Sequence, residues 1–297
     1  MRAFLTLLLT LLLPLPAAAW NSAGHRLIAS IAWDQLDEQT RFAVTELLRQ
    51  HPDYERWIKN DNYGDAGRTA FIEASTWPDE IRQDKRFFNP GNEAPTPALP
   101  GFPDMQRHRD WHYVNRPLDN PDRPAASGLL DKQLPALASI VGSPARSATE
   151  RSYSLPWLIH VTGDAHQPLH TVERGGNDQT IIDPFNPRKG ITTLHAYWDD
   201  LPGPPWLRGA RLAKASKALI GHYPKPEPSS PAQWLKESWI IAKESAYPPD
   251  IENVPTINET FYENSREIAN RRVTEAAYRL AELLRELLLT RSYGKGD

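Results

Sequence analysis

Along most of the chain apolar residues recur every three or four positions, the period that gathers them on one face of a helix. Leu27, Ile28, Ile31 and Ala32 follow Ser22, whose hydroxyl suits a helix N-cap, and predict a first helix. Phe42, Leu47 and Leu48 predict a second, from Asp37 to Gln50. A third is expected from Gly67 to about Gln83, with Pro78 bending or restarting it, which leaves Asp79 in the first turn after a break. More helices are expected over 129–141, from about Ala148 through the stretch His160–His170, from Leu194 onward, and over about 206–221, 231–246 and 258–291. The last is strongly periodic (Ile268, Val273, Ala277, Leu280, Leu284, Leu287) and reads as the helix that closes a bundle. No stretch alternates as a half-buried strand does, and no repeat is evident. The pattern predicts a mostly helical, all-α fold.

The helical period fails in two places. From Lys85 to Ser127 prolines recur and regular spacing is lost. An insert this long without its own structure is unusual in a compact domain unless it carries function. Inside it Asp110-Trp111-His112-Tyr113-Val114-Asn115 is expected to be a short extended segment. After the turn signal Gly175-Gly176-Asn177, residues 178–192 are polar and proline-rich and are expected to be loop.

The first nineteen residues read as an export signal. Arg2 is the positive end, Phe4 to Leu13 the apolar run, and Ala17-Ala18-Ala19 a small-residue cleavage site. Cleavage after Ala19 would make Trp20 the first residue and leave one domain, 20–297, secreted or periplasmic and without stable membrane association. The chain has no cysteine, so core packing or bound metal must replace disulfides, and any metal falls to His and Asp. A net charge of −3 argues against a broad basic surface for nucleic acid, yet allows a local site that meets one phosphate at a time. No protein partner is implied.

Candidate chemistry concentrates in His160-Val-Thr-Gly-Asp164-Ala-His-Gln-Pro-Leu-His170. His160 and Asp164 stand four apart and share a helix face, and Pro168 disturbs the helix before His170. Three further short designs accompany it: Trp77-Pro-Asp79, Trp111-His112, and His195 with Trp198-Asp199. A lone histidine is more often a packed side chain than a ligand. Four such designs in a cysteine-free chain suit zinc, which takes imidazole and carboxylate where no thiolate is offered.

The segments Trp20-Asn-x3-His25, Trp77-x-Asp79-x2-Arg82, Trp111-His112-Tyr113, His160-x2-Gly-Asp164-x-His-Gln-Pro-Leu-His170, Arg174-Gly-Gly-Asn177 and Leu194-His195-x2-Trp198-Asp199 occur in one order. In that order they resemble the zinc-dependent single-strand nucleases of the S-one/P-one type, whose fold is shared with bacterial zinc phospholipase C. The resemblance implies three zinc ions. Asp79, His112, His160 and Asp164 would hold the first, and His170, His195 and Asp199 the second. His25, Asp164 and Trp20 would hold the third, Trp20 through its amino group and carbonyl oxygen, so this site is complete only after cleavage at Ala19. The nucleophile would be a zinc-activated water, and single-stranded DNA, RNA and nucleotides the partners. Products would carry 5′-phosphates, and 3′-nucleotidase action is compatible.

Outside the ligands, Arg82 stands where the family tends to place a basic residue for a phosphate oxygen; a helix surface charge is the alternative. Tyr113 is expected to stack on a base, and Asn177 to donate a hydrogen bond to substrate unless the turn alone explains it. Asn115 replaces an aspartate found in some fungal relatives. It can orient water but is not a base at neutral pH. Two rival readings remain open: a zinc phospholipase C, disfavoured by Asp199 where lipase relatives tend to have glutamate, and a periplasmic zinc-binding protein without catalysis.

Overall fold

The computed structural model describes residues 20–61, 63–173, 179–187, 189–249 and 253–289. The segment expected to be an export signal, the whole Arg174–Asn177 segment and residues 290–297 lie outside the described residues. Among those described are eleven α-helices: α1 Ser22–Gln35, α2 Glu38–Leu48, α3 Tyr54–Ile58, α4 Ala66–Ala74, α5 Trp77–Glu80, α6 Leu130–Gly142, α7 Ala148–Asp164, α8 Leu194–Asp200, α9 Gly209–His222, α10 Pro231–Ser245 and α11 Glu259–Leu289. The fold is mostly helical, as the periodicity predicts.

The ends of the helices have visible causes. Asn21, not Ser22, caps α1, its Oδ1 accepting from Ala23 and Gly24 N–H. Asp37 caps α2. Ser147 and Glu150 close a capping box at the start of α7. The helix expected over 67–83 is two, because the chain breaks at Ser75 and Thr76 and restarts with Pro78 in the first turn of α5. Asp79 therefore enters the site from a first turn. The short α3 has too few residues to show a period and was not expected.

The expectation of no strands needs correction. β1 Val114–Pro117 pairs antiparallel with β2 Ser127–Gly128 and parallel with β3 Val172–Glu173. β4 Thr180–Ile182 and β5 Ile191–Thr193 pair inside the stretch read as loop. The segment expected to be extended from Asp110 is a 3-10 helix, Arg109–Trp111, that runs into β1. All five strands are two to four residues long. They are set by pairing with a partner strand, across fifty-six residues for Arg116 and Val172, and not by alternation. Their use is positional: β1 follows His112 and β3 follows His170, so the pairing Arg116↔Val172 ties those two histidine turns together.

The arginines of the proline-rich insert tie it to the residues before it. Arg86 holds Asp53 through two bonds of 2.8 Å, Asp53 accepts from Trp77 Nε1 at 2.7 Å, and Arg107 donates to the carbonyls of Ile81 and Asp84. Two apolar clusters form the core. The larger gathers α1, α2, α4, α6, α7 and α11, and includes Leu27, Ile159, Val161 and Trp77. The smaller holds Leu169, Leu194, Trp198 and Trp239. Helices α1 and α7 are buried nearly all round, which marks them as central. Phe42, counted as apolar face in α2, is 67% exposed.

Candidate metal centre

The candidate ligands come from residues interleaved with both cores. His25 is in the first turns of α1, Asp79 in α5, and His112 just after the 3-10 helix. His160 and Asp164 end α7, His170 ends a second 3-10 helix (Pro168–His170), and His195 and Asp199 share a face of α8. The helix has already ended at Asp164, and Pro168 opens the 3-10 helix that carries His170. Gly163 lets α1 lie close on α7: a Cβ there would stand 2.9 Å from His25 Nδ1. The His25 and His160 rings stack at 3.8 Å.

Three groups of side chains converge: Asp79, His112 and His160; His25, His160 and Asp164; and His170, His195 and Asp199. In the first, His160 Nε2 is 3.0 Å from His112 Nδ1 and 3.4 Å from Asp164 Oδ2. His112 Nδ1 is 3.1 Å from Asp164 Oδ2, and Asp79 Oδ1 is 3.9 Å from both ring nitrogens. Zinc with bonds of about 2.0–2.2 Å sets tetrahedral edges of about 3.3–3.6 Å, which these separations bracket. The other oxygen, Asp164 Oδ1, faces His25 Nε2 at 3.4 Å. Asp164 thus points one oxygen at each of two groups. In the third, His170 and His195 Nε2 are 3.0 Å apart, with Asp199 Oδ2 3.7 Å from His195.

The protons show why these atoms need a cation. His160 Nδ1 lies 2.7 Å from the Ser75 carbonyl and His170 Nδ1 2.6 Å from the His112 carbonyl. A carbonyl only accepts, so each neutral ring carries its proton on Nδ1 and turns a lone pair from Nε2 into the cluster. His25 Nε2 and Asp164 Oδ1, which face each other, are buried without a hydrogen-bond partner among the described residues. Such groups are costly unless a ligand pairs them. Burial, then neighbouring histidines, holds His25 well below the usual imidazole range. Burial and the Arg82 charge do the same to His112. Burial pushes Asp164 and Asp199 well above the carboxylate range, with Asp79 adding to it. Lone pairs and crowded carboxylates together fit divalent cations.

Around the ligands, Gln167 was not singled out from sequence. Its Nε2 donates to Asp199 Oδ1 at 2.8 Å while its Oε1 accepts from Leu169 N–H, so it turns Asp199 Oδ2 toward His195. Arg82 is no surface charge: it is 8% exposed and donates to Asp79 Oδ1 at 3.0 Å. Trp20 is fully buried, and the next residue, Asn21, donates from its main chain to the Asp199 carbonyl, which sets Trp20 beside α8. Tyr113 is half-buried; Gly128, at φ +84°, leaves room for its carbonyl, which a Cβ would approach to 2.2 Å. Asn115 donates to Ser127 Oγ. Asn177 lies outside the described residues. His166, between the ligands, faces away: Nδ1 donates to the Thr162 carbonyl and Nε2 accepts from Arg279.

Comparison with known proteins adds two findings. Residues 20–289 match the family model described as S1/P1 Nuclease. Endonuclease 4 of Arabidopsis thaliana is 28% identical over 190 residues, 62% of this chain and 56% of that protein. Endonuclease 3 of the same plant is 29% identical over 191 residues, 62% of this chain and 55% of that protein. Endonuclease 2 is 26% identical over 183 residues, 61% and 54% respectively. The chain spans little more than half the length of these relatives.

Proposed function

The chain belongs to the S1/P1 nuclease family, and on that premise we propose that it is a zinc-dependent hydrolase of phosphodiester bonds in single-stranded DNA and RNA. It leaves 5′-phosphates and also removes 3′-phosphates from nucleotides. The observation that carries this reading is the convergence of three ligand groups in one buried seam, with Asp164 facing two of them. The family match from 20 to 289 covers every candidate ligand.

In this reading Asp79, His112, His160 and Asp164 hold one zinc, and His170, His195 and Asp199 a second. His25, Asp164 and the amino and carbonyl groups of Trp20 hold the third. When bound, the ions supply Lewis-acid stabilisation of phosphoryl charge and a water acidic enough to act as nucleophile near neutral pH. The chain's own groups do the rest. The Ser75 and His112 carbonyls keep His160 and His170 in the tautomer that offers Nε2. Gln167 orients Asp199. Arg82, held beside Asp79, meets a phosphate oxygen brought to the cluster. Tyr113 offers a half-exposed ring for a base, Asn115 orients water, and Asn177 donates to the nucleotide. Stacking on such a ring requires an unpaired base, which accounts for single-strand preference.

Residues 1–19 act as an export signal and the mature protein is secreted or periplasmic. No helix among the described residues is long and apolar enough to cross a membrane. The test is a side-by-side assay of the mature protein on single-stranded DNA, duplex DNA and phosphatidylcholine. Metal-dependent cleavage of the single strand is expected. Release of phosphocholine without nucleic-acid cleavage would favour the phospholipase reading, and no hydrolysis by the zinc-loaded protein would favour a zinc-binding protein.

A further inference from the structure

Among the described residues His108 is the only one besides glycines with a positive φ, 43° with ψ 47°. Side chains that carry a Cβ seldom adopt this left-handed conformation, so its contacts must offset it. It stands where the chain changes course. Just before it the backbone runs beside Phe88, which donates to the Met105 carbonyl at 2.9 Å and accepts from Arg107 N–H at 3.0 Å. Just after it the 3-10 helix Arg109–Trp111 begins, closed by Trp111 N–H on the His108 carbonyl at 3.0 Å, and His112 follows.

The His108 ring is gripped from two sides. Its Nε2 lies 3.0 and 3.1 Å from the two oxygens of Asp104. Its face stacks on Trp111 with ring centres 3.7 Å apart and planes 14° from parallel. Trp111 and His112 both meet Trp157 on α7, at 4.9 and 5.4 Å between ring centres, three residues before His160. Contacts therefore run unbroken from Asp104 through His108, Trp111 and Trp157 to His112. Glycine would take the same φ at little steric cost, so the turn alone does not call for histidine. The ring does, because it ties the turn to Asp104 and Trp111.

His112 serves two ligand groups. Its ring Nδ1 is 3.0 Å from His160 Nε2 in one, and its carbonyl accepts from His170 Nδ1 at 2.6 Å in another. A displaced turn disturbs both. His25, in the remaining group, is carried by α1 and is not set by this turn.

We propose that His108 is a positioning residue: its ring, clamped between Asp104 and Trp111, holds the left-handed turn that aims His112, and through His112 it tunes two of the three metal sites. This rests on the zinc reading of the cluster given above.

The test compares wild type, His108→Gly, which permits the backbone but removes the ring, and Asp104→Asn, which leaves turn and ring in place. Stepwise zinc constants come from competition with a chelator, urea unfolding reports stability, and kcat and KM are measured on a single-stranded oligonucleotide. His108→Gly is expected to weaken two of the three zinc constants by about tenfold and leave the third within about twofold. Its kcat should fall by about the same factor while KM stays within about twofold. Asp104→Asn should weaken the same two constants by about threefold, and it decides the matter alone if His108→Gly does not fold. Unchanged zinc constants, or equal weakening of all three alongside lowered stability, would overturn the assignment and leave His108 a structural residue. If wild type itself binds no zinc, the metal reading falls and this inference with it.

Discussion

Two buried histidines in one short stretch, His160 and His166, have opposite surroundings. Both are fully buried, and burial lowers the pKa of both, that of His166 well below the usual imidazole range. His166 has each nitrogen answered by protein, Nδ1 by the Thr162 carbonyl and Nε2 by Arg279. Arg279 in turn grips Glu237 on α10. Arg272 adds a bond to the His166 carbonyl, and Ser238 one to the Ala165 carbonyl. His160 has only its Nδ1 answered by a carbonyl; its Nε2 meets another ring nitrogen and two carboxylates. Depth of burial and residue type are therefore the same on both sides of the stretch. What separates a metal site from a structural clamp is whether lone pairs converge without protons to share. The clamp also serves the site, because it fixes the turn between Asp164 and His170 from behind.

The comparison breaks most visibly at Asp164. Asp164→Ala removes a group that faces two ligand sets, and phosphodiesterase activity should fall by at least about a thousandfold in a steady-state assay. A loss under tenfold would mean the lone pairs do not act together. Gln167→Ala tests the supporting layer. It should weaken zinc at His170, His195 and Asp199 by about 10- to 100-fold in a competition titration with a chelator, leaving the remaining zinc in place.

On the clamp side the currency is stability. His166→Gln should cost about 1–3 kcal/mol in urea unfolding, because buried partners lose their bonds. Zinc content should stay that of wild type; zinc loss would erase the distinction between the two histidines. His51 sharpens the contrast at the low end of effect. It is buried against Trp57 and Trp77, its Nδ1 accepts the Asp53 N–H, and burial depresses its pKa to about 3, with Asp53 raising and Arg86 lowering it. A depressed folded pKa means that stability is complete above the usual 6.5 and is lost as pH falls from there toward 3. His51→Phe should flatten the acid arm of stability against pH by about 1.4 kcal/mol per unit across that window. An unchanged arm would show that His51 is not kept neutral.

The helices and the ligand pairs at i, i+4 were legible because helical period and shared helix face are local properties, as at His160–Asp164 and His195–Asp199. Ser22 and Asn21 are neighbouring cap-forming types, so the cap could be placed only to within a residue. β1 to β5 were not legible, since each is too short to show alternation and the β1–β3 pairing is remote, Val172 for Arg116. Gln167 escaped notice because its partner is remote. It gains meaning from Asp199, thirty-two positions away. The roles of His160 and His166 could not be told apart by spacing. They were told apart by resemblance, and the structure supplies the physical reason.

The central claim is that Asp164 joins two metal sites while the other carboxylates serve one. Zinc per chain, measured by mass spectrometry on protein processed to Trp20, tests it directly. Three zincs are predicted for wild type, two for Asp199→Ala and one for Asp164→Ala. Equal zinc loss in the two variants would contradict the bridging role.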